Sequence, residues 1–413
     1  MDDGKNADKK HDILFYGEQE IGYIDSEGRI KNFTDGDGIK LTTGADVFLR
    51  NALPEGERYE NMLLHSPHPI ETTADALRNL DEIPGRFSIN KPERRICVPL
   101  PYVTEDIVFA ENNLSPDMFF VNSEIRVSQK PSFSGYQDKF TAKAYLRDGK
   151  LSVGPVDPAE EFGNVIVKPG IKLSFVAENE FTCMRLAGKV GLDVPRTYLL
   201  RHPDGKLSAR HLCVERFDFR KIPHPGKRDV MEFASFMGLD SKNKYSAQTE
   251  ELFETAEKIL DKANMIKLAS AYFYGILTGN GDMHTKNFSV FVEKGGDYCL
   301  TPIYDMVNTE VHGFPDMLAL PMNESCNPNP SMRGIAAFLK RYIDSEEMFQ
   351  MAQDVRRNLP DVLNLAFPED GDGPEFIDRS RVKFRRSLEK SILSRVADVE
   401  KVRAGLDGPS YRK

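Results

Sequence analysis

Over the first hundred residues, apolar and polar positions alternate at short range. ILFYGEQEIGYIDSEGRIKNF holds two β-like runs about the turn Asp25-Ser26-Glu27-Gly28, so a small β-rich unit is expected to begin there. In TTADALRNLDEI the spacing becomes helical, with Ala74, Leu77 and Leu80 on one face, until PGRF breaks it. The unit is expected to end near residue 110, close to Pro99 and Pro101. From residue 131, PSFSGYQDKFTAKAYLRDGKLSV reads as loop, strand, a turn at Asp148-Gly149, and strand, and NVIVKPG adds a buried strand ending at Lys168. Ser174 is placed to N-cap a helix over FVAENEFTCMRLAGKV, stopped by Gly191, in which Val176, Glu180, Cys183, Ala187 and Val190 share one side. Glu180 is then a carboxylate on an otherwise apolar face. TYLLR and HLCVERFDFR are two further strands.

Past residue 228 the pattern turns helical. KLASAYFYGILTG is apolar nearly all round, as expected of a central helix in a large lobe, and residues 331 to 404 are helical except at the turn-rich FPEDGDGPE. The predicted class is α+β: a disordered tail over 1–12, a β-rich domain over 13–110, a β-rich lobe over 111–227 and a helical lobe over 228–413.

Composition narrows the function classes. A chain of 413 residues that is 40% hydrophobic can bury two or three cores. No stretch reaches the roughly 18 apolar residues of a membrane span, and the polar start MDDGKNADKKHD has no apolar segment behind it. The expectation is a cytoplasmic protein with no membrane partner. A net charge of -9 argues against a chain that grips nucleic acid by itself, although local basic patches stay open. Cys97, Cys183, Cys213, Cys299 and Cys326 form no C-x-x-C pair, so they read as core or surface thiols rather than a disulfide framework or a four-thiolate zinc site.

Candidate chemistry is densest in GNGDMHTKNFSVFVEKGGDYCLTPIYD. A buried helix ends at Gly279-Asn280-Gly281 and releases Asp282, His284, Lys286 and Asn287 into a short loop ahead of a strand. Gly295-Gly296 signals a two-residue hairpin; with 294 opposite 297, position 287 falls opposite 304 and Asp305 beside Asn287. An amide oxygen and a carboxylate so placed offer hard ligands to Mg²⁺, and Asp282 could orient or deprotonate a hydroxyl. Protein kinases divide the work this way, with an Asn five residues after the catalytic Asp. Asp and Asn after glycines are also ordinary turn formers. His284 is either a metal ligand or a hydrogen-bonded loop histidine, and Lys286 either meets a phosphate or is solvated.

Two upstream constellations add to this. Lys168 at a strand end followed by Glu180 on the next helix suits a phosphate-binding lysine with its helix carboxylate, though a solvated strand end is the plainer reading. In VERFD, backbone groups around Glu215 and Arg216 could hydrogen-bond adenine, Phe217 could stack on it, and Asp218 could reach ribose. SFSGYQDK has a single glycine and is no Walker loop, but its small residues could cover phosphates.

Taken in order, SFSGYQDK, VIVKPG, AENE, VERFD, GNGDMHTKNFSVF and LTPIYD resemble the HipA family of serine/threonine kinases, over about residues 130 to 307. LPEGERYENML and the β-rich start look more loosely like that family's N-terminal domain, and DMLALPMN fits its helical remainder. The resemblance implies a bilobal protein-kinase-like fold, ATP and Mg²⁺ as cofactors, and a role as the toxin of a toxin–antitoxin pair. By it, Lys168 would contact ATP phosphates, and Gly135, Gln137 and His284 would help bind ATP. Glu215 and Phe217 would line the adenine site, with Asp218 at the ribose. Asp282 would be the catalytic base, Asn287 and Asp305 would hold magnesium, and Ser132, with Ser134 as the competing site, would be the inhibitory autophosphorylation serine. Tyr136 and Asp138 depart from the family's loop pattern. The implied partners are a small helix-turn-helix antitoxin, operator DNA reached only through that antitoxin, and a protein substrate, which in some members is an aminoacyl-tRNA synthetase. Two rival readings stand: a lipid or small-molecule kinase, and a kinase-shaped corepressor acting with the antitoxin.

Overall fold

A computed structural model describes residues 12–16, 18–25, 30–31, 49, 51–53, 62, 66, 69–80, 82–83, 87–90, 95–100, 103–104, 107–119, 139–157, 161–202, 209–220, 226–293, 297–322, 326–368 and 375–405. Gly135, Gln137, Ser132, Ser134, Tyr136, Asp138, most of LPEGERYENML and all but the last residue of the expected tail lie outside them. Asp12, assigned to that tail, instead opens the first strand.

Four short strands make an N-terminal sheet in the order β3-β2-β1-β4: β1 (Asp12–Tyr16), β2 (Gln19–Ile24), β3 (Ile30–Lys31) and β4 (Phe87–Ile89). Helix α1 (Thr73–Arg78) starts at a capping box in which Thr72 and Asp75 satisfy each other's backbone N–H, and buries Ala74, Ala76 and Leu77.

A closed six-stranded barrel follows, in the order β8-β10-β9-β5-β7-β6: β5 (Phe109–Asn112), β6 (Phe140–Arg147), β7 (Lys150–Gly154), β8 (Val165–Lys168), β9 (Thr197–Arg201) and β10 (Arg210–Glu215). The expected boundary at 110 falls inside β5, which pairs in parallel with β9 and β7. Asp148 and Gly149 both take positive φ, the turn that matches the twist of the β6–β7 hairpin. Alternation sends Val165, Val167 and Cys213 into the barrel, while Leu199, Leu212 and Val214 face helix α2 (Val176–Lys189).

The cap of α2 differs from expectation. Phe175, at φ 62, occupies the N-cap position with no side-chain hydrogen bond, because its ring is drawn into a cluster with Phe367 and Phe384, and Ser174 does not cap. Gly191 takes φ +87 just past the helix, as its sequence position predicts.

The helical lobe holds α3 (Thr249–Glu257), α4 (Lys262–Thr278), α5 (Met332–Leu339), α6 (Ser345–Ala366) and α7 (Glu375–Arg403). Its core is α4, whose last two turns are buried throughout and which ends at Gly279 in the left-handed conformation. Tyr274 on α4 donates to the Cys183 carbonyl of α2 at 2.5 Å, joining the lobes beneath the site. A small sheet, β11 (Asp229–Glu232), β12 (Ser289–Val292) and β13 (Tyr298–Leu300), carries the candidate loop. The chain is therefore α+β and bilobal, with a small β-rich unit in front. All five cysteines are free, and Cys97, Cys183 and Cys213 are buried. Among the described residues no helix is long and apolar enough to cross a membrane.

Candidate active site

Alternation along β8 puts Val167 in the barrel and turns Lys168 outward, under α2. There its Nζ lies 2.5 Å from Glu180 Oε1 and also meets Asp305 Oδ1. Two carboxylates thus share one buried ammonium. Burial would raise Asp305, but Lys168, Lys139 and His284 hold its carboxylate below the usual range. Glu180 goes the other way, pushed up by its burial and by the charge on Asp305, against the pull of Lys168. Lys168 stays firmly protonated, since Asp305 and Glu180 outweigh the cost of burying it. Lys139, buried at the end of SFSGYQDK, acts on both carboxylates, a role that its place in the sequence does not reveal.

The hairpin register differs from expectation by one residue. Val290 pairs with Leu300, Phe291 with Cys299 and Val292 with Tyr298, and the Glu293 N–H bonds the Asp297 carbonyl, so 293 rather than 294 faces 297. The expected pairings of 287 with 304 and 286 with 305 do not occur, because the ladder gives out near Ser289 and Thr301. Asp305 instead reaches the site from the segment beyond β13, where it takes φ 55. Asn280 does the joining: its Nδ2 donates to the Asp305 carbonyl at 3.2 Å and its Oδ1 accepts from the Asp282 N–H at 3.1 Å. One amide therefore fixes the backbones of both carboxylates. The side chain of Asn179, next to Glu180 on α2, likewise donates to the Asn308 carbonyl at 2.8 Å and accepts from its N–H at 3.1 Å. Both asparagines read as turn or helix filler in the sequence; only their partners far along the chain show what they do.

Asp282 is exposed at the loop tip, where its Oδ1 accepts a hydrogen bond from the Tyr245 hydroxyl at 2.7 Å. Asn287 Oδ1 accepts from the His284 N–H at 3.3 Å, and His284 Nδ1 accepts from the Lys286 N–H at 3.3 Å. His284 is thus hydrogen-bonded within its own loop, and among the described residues no cluster of three or more His, Cys, Asp or Glu suited to a metal occurs. Lys286 is not solvated: it is buried, with Nζ on Ser241 Oγ at 2.8 Å, on the Asn51 carbonyl at 3.2 Å and 3.5 Å from Glu232 Oε2.

In VERFD, the N–H groups of Glu215 and Arg216 are taken by the carbonyls of Arg196 and Asn164, so these donors do not await adenine. The Glu215 carboxylate is gripped by Arg196 at 2.8 and 2.9 Å, and Asp218 by Arg216 at 2.6 and 3.0 Å. Phe217 is half-buried, stacked on Tyr304 at 5.6 Å with Phe291 at its edge.

A lysine paired to a helix carboxylate, an ionised aspartate beside it, and a loop Asp with an Asn five residues on suit phosphoryl transfer. Asp305 and Asn287 supply hard oxygens of the kind Mg²⁺ takes alongside phosphates and waters, so this donor set fits magnesium better than zinc.

Comparison with known proteins gives the same direction. The model of the HipA-like C-terminal domain matches residues 131–363. The serine/threonine-protein kinase toxin HipA of Shewanella oneidensis is 27% identical over 305 residues, 65% of this chain and 66% of that protein. A putative kinase of Sinorhizobium fredii is 30% identical over 43% of this chain and 45% of its own length. The chain thus spans from under half to about two thirds of these relatives. In the solved structures, HipA in the Shewanella oneidensis MR-1 complex of HipA, HipB and operator DNA superposes with a TM-score of 0.67 at 19% identity, over 95% of this chain and 99% of that one. The fold is the kinase-like one.

Proposed function

The chain belongs to the family of the HipA-like C-terminal domain, and we propose that it is an ATP- and magnesium-dependent serine/threonine protein kinase, the toxin of a toxin–antitoxin pair. The observation that carries this is the buried Lys168 held between Glu180 and Asp305, one hydrogen-bonded amide away from Asp282. In this reading Lys168 holds ATP phosphates, Glu180 keeps that lysine in place, and Asp305 with Asn287 holds Mg²⁺. Held there, Mg²⁺ would supply positive charge against the triphosphate. Asp282 accepts the proton of the acceptor hydroxyl while that oxygen bonds the γ-phosphorus and the bond to the β–γ bridging oxygen breaks, leaving ADP. Phe217 offers a flat apolar face for adenine. The carboxylates of Glu215 and Asp218 shape the nucleotide mouth through Arg196 and Arg216, with His284 near the base; by the family resemblance Gly135 and Gln137 would also bind ATP.

The finer parts of the proposal follow the family resemblance: Ser132, or Ser134, as the site of inhibitory autophosphorylation, a helix-turn-helix antitoxin that brings the chain to operator DNA, and a protein substrate in the cytoplasm. The deciding experiment replaces Asp282 with Asn and follows labelled phosphate from Mg·ATP into a cell lysate. Transfer is expected to fall by about a hundredfold or more with the fold intact. Activity within a few-fold of wild type would sink the assignment. Transfer by neither protein would favour the corepressor reading.

A further inference from the structure

Large apolar side chains left in water tend to mark contact surfaces when they gather beside a functional group. Tyr245 (46% exposed), Phe314 (58%) and Met317 (39%) are all tied to the loop that carries Asp282. Tyr245 meets His284 edge-on at 5.0 Å and donates its hydroxyl to Asp282. Gly281, just before the base, bonds Thr309 Oγ1 through its N–H, and the Phe314 N–H returns to the Thr309 carbonyl. A Cβ on Gly281 would lie 2.8 Å from the Met317 carbonyl, so residues 314–317 turn directly against the base's own backbone. The charged groups of this segment, Glu310 and Asp316, are both paired with Arg395. The side chains offered next to Asp282 are therefore mainly apolar.

We propose that Tyr245, Phe314 and Met317 form the acceptor-binding ledge of the site, which selects a polypeptide with a large apolar side chain beside the serine or threonine to be phosphorylated. The inference rests on the reading of Asp282 as the base. Its occupant is set by position: a hydroxyl that gives its proton to Asp282 has to reach the carboxylate beside the Tyr245 phenol, and the chain bearing it then lies across Phe314 and Met317. Tyr245, bound to Oδ1, competes with the acceptor for that oxygen. An apolar ledge discriminates against sugar-like acceptors, whose hydroxyls would lose water there without new partners.

The test is phosphorylation of a degenerate Ser/Thr peptide library by the full chain with Mg·ATP. Wild type is expected to enrich large apolar residues within about two positions of the acceptor by several-fold, with Phe314→Ser/Met317→Ser erasing the preference and raising the peptide KM about tenfold. Tyr245→Phe keeps the ring and removes the competing hydroxyl, so the preference should persist with a lower peptide KM. Phe314→Glu should turn the preference at that position toward Lys and Arg, a switch that misfolding cannot imitate. Transfer without apolar enrichment, or an unaltered preference in Phe314→Glu, overturns the ledge alone. Absence of transfer to any peptide or lysate protein overturns the kinase reading and the ledge with it.

Discussion

Replacing Lys168 with Met removes the one cation that two carboxylates share. The pair is dry: the Lys168 side chain is 6% exposed and Glu180 3%, whereas Asp305 is 32% exposed and keeps the influence of Lys139 and His284. Deleting one partner of a buried pair typically costs about 3–5 kcal/mol, and most of that should fall on Glu180. Its carboxyl is already raised by burial and by Asp305, and it rises further without the ammonium. A group raised in the folded state stabilises below its unfolded value, about 4.3 for Glu, and that contribution is lost as pH climbs through the folded value. Lys168→Met should therefore lie closest to wild type near pH 5 and fall steadily behind it toward pH 8. In the wild type Asp305 runs the opposite way: its carboxyl is depressed, so its contribution is present above the unfolded value, about 3.9, and lost in acid. Thermal melts across this range, with Lys168→Met/Glu180→Leu alongside, measure the effect. The double variant should recover most of the stability while remaining inactive, since no charge is left buried without a partner. A difference from wild type that does not change with pH, or a double variant as unstable as the single one, would refute the shared-cation account.

Three further outcomes are expected. Asp305→Ala and Asn287→Ala should each weaken nucleotide binding in Mg²⁺ by about tenfold or more and flatten its magnesium dependence in calorimetry; an unchanged dependence would remove both from the metal site. The isolated chain, at net charge -9, should bind duplex DNA weakly and join a DNA complex only with an antitoxin, so tight, salt-sensitive binding by the chain alone would reverse this reading. After incubation with Mg·ATP, mass spectrometry should find phosphate on Ser132, with Ser134 as the alternative, in wild type but not in Asp282→Asn, and the modified form should be inactive because about two added negative charges oppose the nucleotide phosphates.

What the sequence made legible is local. The turn at Asp148-Gly149, the stops at Gly191 and Gly279 and the inward Glu180 follow from period and propensity within a dozen residues, whereas Lys168, plainly read as a solvated strand end, is buried under α2. Less legible is whatever depends on partners far apart in the chain. Asn179 grips Asn308 across 129 positions and Lys168 meets Asp305 across 137, distances at which hydrophobic spacing carries no signal. The hairpin register departs from its sequence expectation by one residue for a related reason. A glycine pair marks a turn but does not say whether two or three residues form it, and a one-residue slip moves every opposing position. Phe175 shows the limit of local capping rules: packing of one ring against α7 outweighs the hydrogen bond that Ser174 could have made.

The N-terminal unit gains its meaning from the same kind of distant contact. Glu82 lies 2.7 Å from Arg216 and 2.9 Å from Lys227, and Arg216 in turn holds Asp218; although burial opposes it, the two cations keep Glu82 ionised. On the other side, Lys286 of the Asp282 loop reaches the Asn51 carbonyl, while the Asn51 amide donates to Ser235 and Leu239, and Tyr16 bonds Asp229. Buried ion pairs add little net stability against apolar packing of equal volume, but each partner left without the other is costly, so they enforce one arrangement. The unit touches VERFD through Arg216 and the Asp282 loop through Lys286, so in the proposed reading it is the frame between the nucleotide mouth and the acceptor loop.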